Sequence, residues 1–189
     1  MHRRDCLRNF VAAACGGLAG VAAADDGDAL RKELRSLAVE TLEQLYWVEP
    51  RARAALEAAE GYAVFRNFGV KLMMGGSGSG RGIAIERATR RHTFMKMFEL
   101  QAGLGLSVRK YRQVWVFERT ADLADFVGAG WEFSGQSVAS AQLAGRGGEL
   151  HSGSLAIRPG VWLYQMNDDG LALDLTLKGA RYYPDKKLN

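Results

Sequence analysis

Apolar residues follow helical spacing in the first part of the chain and alternate with polar ones in most of the rest. After an acidic start at 25–28, they recur every three or four positions, which predicts an amphipathic helix of about five turns. The residues of this apolar face are Leu30, Leu34, Leu37, Ala38, Leu42 and Leu45. A second, shorter helix is predicted between Pro50 and Gly61, since proline favours the first helical position and glycine ends helices.

Beyond Gly61 the alternation of apolar and polar positions predicts strands. The strand-like stretches are 62–65, 69–86, 90–108, 112–119 and 131–145. A short helix is expected after Thr120, and two alternating runs around the turn at 167–170 predict a closing hairpin. Two helices followed by about seven strands indicate an α+β fold, with N-terminal helices packed on an antiparallel sheet that could close into a barrel.

The run KLMMGGSGSGRGIAIE at 71–86 is rich in glycine, as phosphate-binding loops are. A P-loop needs Lys and Ser or Thr after its last glycine, whereas here Gly80 is followed by Arg81 and Gly82. A dinucleotide fingerprint must open a helix, whereas this run continues into the strand-like IAIE. The spacing therefore excludes nucleotide binding.

The glycines of this run alternate, so they share one face of a predicted strand. The residues of this glycine face are Gly76, Gly78, Gly80 and Gly82, with Gly103 and Gly105 repeating the spacing later in the chain. Arg81 falls on the opposite side of the strand. A face without side chains permits close approach by another element. We expect the protein's own helix to pack there, with a lipid-binding groove as the alternative.

Basic residues cluster in three places that could bind anions. The first helix carries Arg31, Lys32 and Arg35 in its first turns, where they could rest on a lipid surface. The stretches 87–91 and 109–112 hold three cations each. Both are predicted to be hairpin tips at opposite ends of the sheet, so we do not expect them to form one patch.

The first 24 residues have the pattern of an export signal. Three arginines precede a small apolar stretch, and Ala22 and Ala24 fit a signal-peptidase site, which predicts cleavage after Ala24. The general secretory and twin-arginine routes both stay open, as does lipidation of Cys15. The domain 25–189 is expected in the periplasm or peripherally on an envelope membrane. It would have no cysteine, because Cys6 and Cys15 both lie in the signal.

The charge of the chain argues against a dedicated nucleic-acid binder. The 25 basic and 21 acidic residues give a net charge of +4. Loss of residues 1–24, which hold three arginines and one aspartate, would lower it to +2. Nucleic-acid binders are typically far more basic.

The sequence contains no clear catalytic or metal-binding constellation. His92 and His151 are not spaced as a metal pair. The run of alternating glycine and serine at 76–80 precedes a strand and not the helix of a nucleophile elbow. His151 beside Ser152 leaves a hydrolase as a minor alternative. We expect a protein that is not an enzyme and has no metal and no cofactor.

Three stretches resemble the SYLF domain family in order and spacing. AAEGYAVFRNFGVKLMMGGSGSGRGIAIE is similar to the beginning of such a domain, and QVWVFERTADLADF to its middle strand and short helix. WLYQMNDDGLALDLTLKGARYYPDKKLN is similar to its closing hairpin. The resemblance covers roughly residues 28–189. It implies binding of membrane lipids, with phosphoinositides as the ligands of eukaryotic members.

Together these observations predict a single SYLF-like domain that binds anionic phospholipid or phosphoinositide-like head groups in the bacterial cell envelope. The expected lipid-binding residues are Arg31, Lys32, Arg35, Lys71, Arg81, Arg109 and Lys110. The alternative is an envelope assembly protein that uses the glycine face to bind a protein partner.

Overall fold

The computed structural model describes residues 18–72, 75–102, 107–134, 154–167, 170–171 and 179–189. The helices are α1 (Leu18–Val48), α2 (Ala52–Ala58) and α3 (Thr120–Gly128). The first four strands are β1 (Gly61–Leu72), β2 (Gly75–Glu86), β3 (His92–Ala102) and β4 (Ser107–Phe117). The others are β5 (Trp131–Ser134), β6 (Leu155–Arg158), β7 (Val161–Asn167), β8 (Gly170–Leu171) and β9 (Gly179–Pro184).

The described strands form one antiparallel sheet, curled into a half-barrel, with the order β5-β9-β3-β2-β1-β4-β7-β6. The short β8 lies off this path and pairs with β7. Strands β1, β2 and β3 are neighbours both in sequence and in the sheet, because antiparallel strands need only short connections, whereas β4 pairs with β1 and not with β3. The predicted α+β class with a curled antiparallel sheet is confirmed.

Both faces of the sheet are covered, and β1 shows this most directly. Val64 belongs to a core cluster beneath α1 and α2, while its neighbours Ala63 and Phe65 belong to a second cluster inside the curl. All three side chains are fully buried. Successive strand residues point to opposite faces. The sequence of β1 is therefore continuously apolar at 63–65, which is typical of a strand buried on both faces.

Helix α1 covers the outer, convex-side cluster with the apolar face that its spacing predicts. Leu34, Leu37, Ala38 and Leu45 are buried against the sheet. The helix begins at Leu18, well before the predicted acidic start at 25–28. Leucine and the alanines at 22–24 have high helix propensity, and the helix continues through Gly20 and Gly27 despite the low helix propensity of glycine.

The inner cluster is dominated by aromatic rings from the sheet and from α3. Phe126 of α3 lies 5.5 Å from the Tyr182 ring and 5.0 Å from the Phe117 ring, centroid to centroid. Phe65 meets Tyr182 edge to face at 5.0 Å. Such pairs contribute about 0.5–1.5 kcal/mol each beyond their buried area. α3 therefore packs inside the curl, on the face opposite α1.

Candidate functional site

Four basic side chains lie side by side across the middle of the sheet. Arg112 of β4 pairs in register with Arg66 of β1, Arg66 with Arg81 of β2, and Arg81 with Lys96 of β3. Directly opposed residues of antiparallel strands share a face. With strands about 4.8 Å apart, this cation row extends over about 14 Å.

The cation row borders an open cavity of about 740 Å³ on the face that α1 covers only in part. Gln44 of α1 lines one side of this cavity, and Tyr183 of β9 another. All four members of the cation row line it as well. A concave site with converging cations is suited to an anionic ligand, since opposing charge raises its local concentration.

Three members of the cation row have carboxylate partners. Glu33 of α1 lies 2.6 Å from the Arg66 guanidinium, and Asp185 lies 3.0 Å from Lys96. Glu40 of α1 is a looser partner, 3.9 Å from Arg112. Arg81 has no ion pair within the described part of the chain. It is exposed at the centre of the row and is therefore the member most open to an added anion.

Asp185 is the most buried of these carboxylates, with 4% of its side chain exposed. Burial opposes its ionisation, but hydrogen bonds from Lys96 and the Lys187 backbone amide, together with the charges of Lys96 and Arg81, outweigh burial. They hold the pKa of Asp185 below its usual value. Asp185 thus orients the Lys96 ammonium at one end of the row.

We expect Asp185→Asn to lower the free energy of unfolding by about 2 kcal/mol at neutral pH, as loss of a charged hydrogen bond does. A carboxyl whose folded pKa is depressed stabilises the fold above its unfolded pKa of about 3.9 and loses this contribution as pH falls through the folded value. The difference from the wild type should therefore shrink below about pH 4. Urea unfolding at neutral and acidic pH measures it, and a difference independent of pH would contradict the argument.

Exposed apolar side chains adjoin the cation row on the same face. Phe68 is 48% exposed, Phe98 43% and Leu100 57%. Phe68 and Phe98 each pair in register with Ser79, which lies two residues from Arg81 on β2. Cations and exposed rings thus occupy adjacent rows of one surface, a combination that suits the interface between water and lipid.

The predicted basic residues of α1 do not join this surface. Arg31 donates to the Leu188 carbonyl at 2.9 Å and pairs with Asp28. Arg35 lies over the Phe94 ring at 5.5 Å. Burial, followed by the charge of Arg35, lowers the pKa of the neighbouring His92. Those contacts are near the start of β3, where Phe94 lies two residues and His92 four residues before Lys96. Lys32 is exposed without joining the row. The helical cations are therefore separate from Arg81.

Lys71, Arg109 and Lys110 have different outcomes. Lys110 is exposed, pairs in register with Phe68 and lines the cavity. Lys71 pairs with Gly76, and Arg109 with Gly69, at register positions that alternate with those of the cation row. The prediction of a hairpin tip at 109–112 is wrong, because these residues lie inside β4. The tip predicted at 87–91 is confirmed as the turn between β2 and β3.

The glycine face does alternate with Arg81, but the interpretation of what covers it is wrong. Gly78, Gly80 and Gly82 pair in register with Gly69, Asn67 and Phe65, so they face the inside of the curl. α1 lies on the other face. Neither the helix nor an open lipid groove covers these glycines. Gly103 and Gly105 lie outside the described residues.

The glycines make room for large side chains of their own sheet. A Cβ at Gly82 would overlap the Val64 carbonyl oxygen and lie 2.5 Å from the Phe65 ring. A Cβ at Gly78 would overlap the Glu99 side chain. Both glycines are buried. Gly78 and Gly82 are therefore covered by side chains and backbone of their own sheet, whereas Gly76 and Gly80 are half-buried.

Glu99 belongs to a polar network inside the curl that the sequence did not reveal. It is fully buried and accepts a hydrogen bond from Tyr111, which in turn accepts one from Asn67. Burial, and then the negative charge of Glu99, raise the pKa of Tyr111 well above its usual value. Tyr111 therefore stays protonated and donates to Glu99, which satisfies part of the buried charge.

The site residues that sequence reasoning missed are Arg66, Lys96, Phe68 and Phe98, whereas Arg112 belongs to the basic stretch 109–112 that was expected in a turn. Sequence spacing alone could have indicated two pairs of a cation and a ring. Arg66 precedes Phe68 by two residues, and Lys96 precedes Phe98 by two. In a strand this spacing puts each cation and ring on the same face. The alignment of these pairs across strands, however, depends on register.

The described residues provide neither a cluster of metal ligands nor a membrane-spanning helix. They contain no group of three or more His, Cys, Asp or Glu side chains placed to hold a metal ion. Within the same residues, no helix has the length and apolarity needed to cross a membrane. His151 lies outside the described residues, so its suggested role has no geometry to support it.

No protein-family model matches this chain. The chain is similar to the protein named Beta cell expansion factor A of Aeromonas veronii, with 33% identity over 163 residues. The similar region comprises 84% of this chain but 58% of the relative, so the chain spans little more than half the length of the curated relative that it matches.

Proposed function

We propose that the chain is a non-enzymatic lipid-binding domain of the SYLF type, which binds anionic head groups in the bacterial cell envelope. The head groups are those of anionic phospholipids or phosphoinositide-like lipids. The observation that carries this proposal is the cation row of Arg112, Arg66, Arg81 and Lys96 beside the exposed apolar side chains. The pattern of residues 1–24 supports the envelope location.

The small free energy that each basic side chain contributes favours attachment to a membrane surface over binding of a single anion in solution. A basic side chain near an anionic membrane contributes about 1 kcal/mol. Arg81 is open, while Arg66 and Lys96 beside it are partly neutralised by Glu33 and Asp185. Several such contacts, with burial of Phe68 and Phe98 at the interface, are needed for stable attachment.

The guanidinium groups suit phosphate in particular. Arginine presents a planar fork of donors that matches two phosphate oxygens, and it carries its charge at every accessible pH. The central position of Arg81, between Arg66 and Lys96, allows cations on both sides to share one head group. The three sequence stretches that resemble SYLF domains support the same ligand class.

Co-sedimentation of the full chain with liposomes tests the proposal. We expect binding to phosphatidylcholine vesicles that contain phosphatidylglycerol and little binding to pure phosphatidylcholine. Binding should weaken between about 0.1 M and about 1 M salt, where the screening length falls from about 10 Å to about 3 Å. Absence of binding to anionic vesicles at low salt, or equal binding to both vesicle types, would contradict the proposal.

A further inference from the structure

The sizes of the side chains next to Arg81 indicate a groove along β2. Its floor is Ser79, a short side chain, and its walls are Phe68 on β1 and Phe98 on β3, which flank Ser79 in register. Because β1 and β3 each lie about 4.8 Å from β2, the two walls rise from strands about 9–10 Å apart. Because serine is much shorter than phenylalanine, this register indicates a narrow, shallow channel between the two rings.

The same arrangement of a serine between two apolar side chains repeats two residues further from Arg81 along β2. Ser77 forms the floor there, between Val70 of β1 and Leu100 of β3. Val70 is half-buried and Leu100 is exposed. Two successive steps with a serine floor and apolar walls make a channel that follows the direction of β2. We call the channel formed by these two steps the β2 groove.

The polarity of the groove changes along its length. At one end Arg81 is flanked by Arg66 and Lys96, and beyond Ser79 the walls are apolar. Along β2 the order is therefore a cationic end followed by an apolar channel. This order is complementary to a molecule that has an anionic head and a hydrocarbon chain.

We infer that the β2 groove binds one anionic lipid molecule, with its phosphate at Arg81 and one acyl chain between Phe68 and Phe98. The inference rests on the proposed lipid binding and narrows it from a membrane surface to a single molecule. Exposed rings and Leu100 lose contact with water when a chain covers them, which adds an apolar contribution to the charge. The head group and the chain should therefore bind more tightly together than either does alone.

Calorimetric titration of the full chain with monomeric probes tests this inference. The probes are dodecyl phosphate below its critical micelle concentration, glycerol 3-phosphate as a head group without a chain, and dodecyl maltoside as a chain without charge. We expect dodecyl phosphate to bind at least about tenfold more tightly than either of the others. Equal affinity for dodecyl phosphate and glycerol 3-phosphate would show a phosphate site only, and equal affinity for the two dodecyl compounds an apolar site only. Either result would overturn the inference.

A variant that fills the floor of the groove locates the chain. Ser79→Leu places a branched side chain between the two rings while leaving Arg81 and its neighbours in place. It should weaken dodecyl phosphate binding at least about tenfold and leave glycerol 3-phosphate binding unchanged. Ser36→Leu, at an exposed position of α1, is the matched control and should bind as the wild type does.

Thermal unfolding verifies that the variants fold, and Ser77→Leu replaces Ser79→Leu if that variant is unstable. Unchanged dodecyl phosphate affinity in the folded floor variants would overturn the inference. Liposome co-sedimentation of the same proteins reports on the proposed function separately. Vesicle binding without monomer binding would refute the single-lipid site alone, whereas absence of both would refute the lipid-binding proposal as well.

Discussion

Replacement of Arg81 by glutamate is expected to weaken binding to anionic vesicles about 30-fold at low salt. The change reverses one charge, so it costs about 2 kcal/mol if each unit of charge near the membrane contributes about 1 kcal/mol. Arg81 is exposed and has no ion pair within the described residues, so the substitution breaks no salt bridge there. It also relieves repulsion between Arg81 and its neighbours Arg66 and Lys96, although it removes the positive charge that favours ionised Asp185. The variant should therefore stay folded, which thermal unfolding verifies.

Arg51→Glu is the matched control for this experiment. Arg51 is exposed just before α2, away from the cation row, and a glutamate at a helix N-terminus is favourable. Both variants lower the net charge of the chain by the same amount. If Arg51→Glu weakened vesicle binding as much as Arg81→Glu, total charge and not the cation row would govern binding.

Gly82→Ala is expected to lower the free energy of unfolding by about 2–3 kcal/mol, although it adds only one methyl group. The added Cβ would overlap the Val64 carbonyl oxygen, and a backbone oxygen cannot move without disturbing the β1–β2 ladder. The Phe65 ring lies 2.5 Å from the same Cβ position and is held by Phe126 and Tyr182. Urea unfolding of the full chain measures the effect.

Gly128→Ala supplies the control for the same substitution. A Cβ at Gly128 would meet nothing within 4 Å, and the residue closes α3. Alanine is favoured over glycine in helices by up to about 1 kcal/mol, so this variant should be as stable as the wild type or slightly more stable. A loss below about 0.5 kcal/mol for Gly82→Ala would contradict the close packing at the glycine face.

The amphipathic pattern of the first helix was sufficient to predict its buried face, because helical spacing depends on local sequence alone. The alternation of glycines with Arg81 was also predictable, since strand residues alternate regardless of the fold. The face of the sheet that α1 covers was not predictable. Val64 and Phe65 are adjacent in sequence and both fully buried, so apolarity does not distinguish the helix side from the inside of the curl.

The cation row illustrates the second limit of sequence reasoning. Arg66, Arg81 and Lys96 are fifteen residues apart in sequence and become neighbours only through strand register. Register depends on hairpin lengths, and 109–112 was assigned to a turn although it lies inside β4. With that strand displaced, Arg112 could not be aligned with Arg66. The exposed rings were not predicted for a different reason. Single exposed apolar residues are common on protein surfaces, so neither ring indicates a site by itself.

The two carboxylates that α1 contributes to the cation row couple helix position to the charge of the sheet. Glu33 and Glu40 reach Arg66 and Arg112 from the helix, while Leu34, Leu37 and Leu45 hold the helix in place. Exposed ion pairs of this kind stabilise little, so the apolar face alone accounts for docking. An anion bound at Arg66 weakens the ion pair that joins Arg66 to Glu33 of α1. By thermodynamic linkage, displacement of α1 makes the cation row more positive and strengthens anion binding. Through Glu33 and Glu40, helix α1 thus neutralises part of the cation row. Its distance from the sheet therefore determines how positive the electrostatic potential is over the β2 groove.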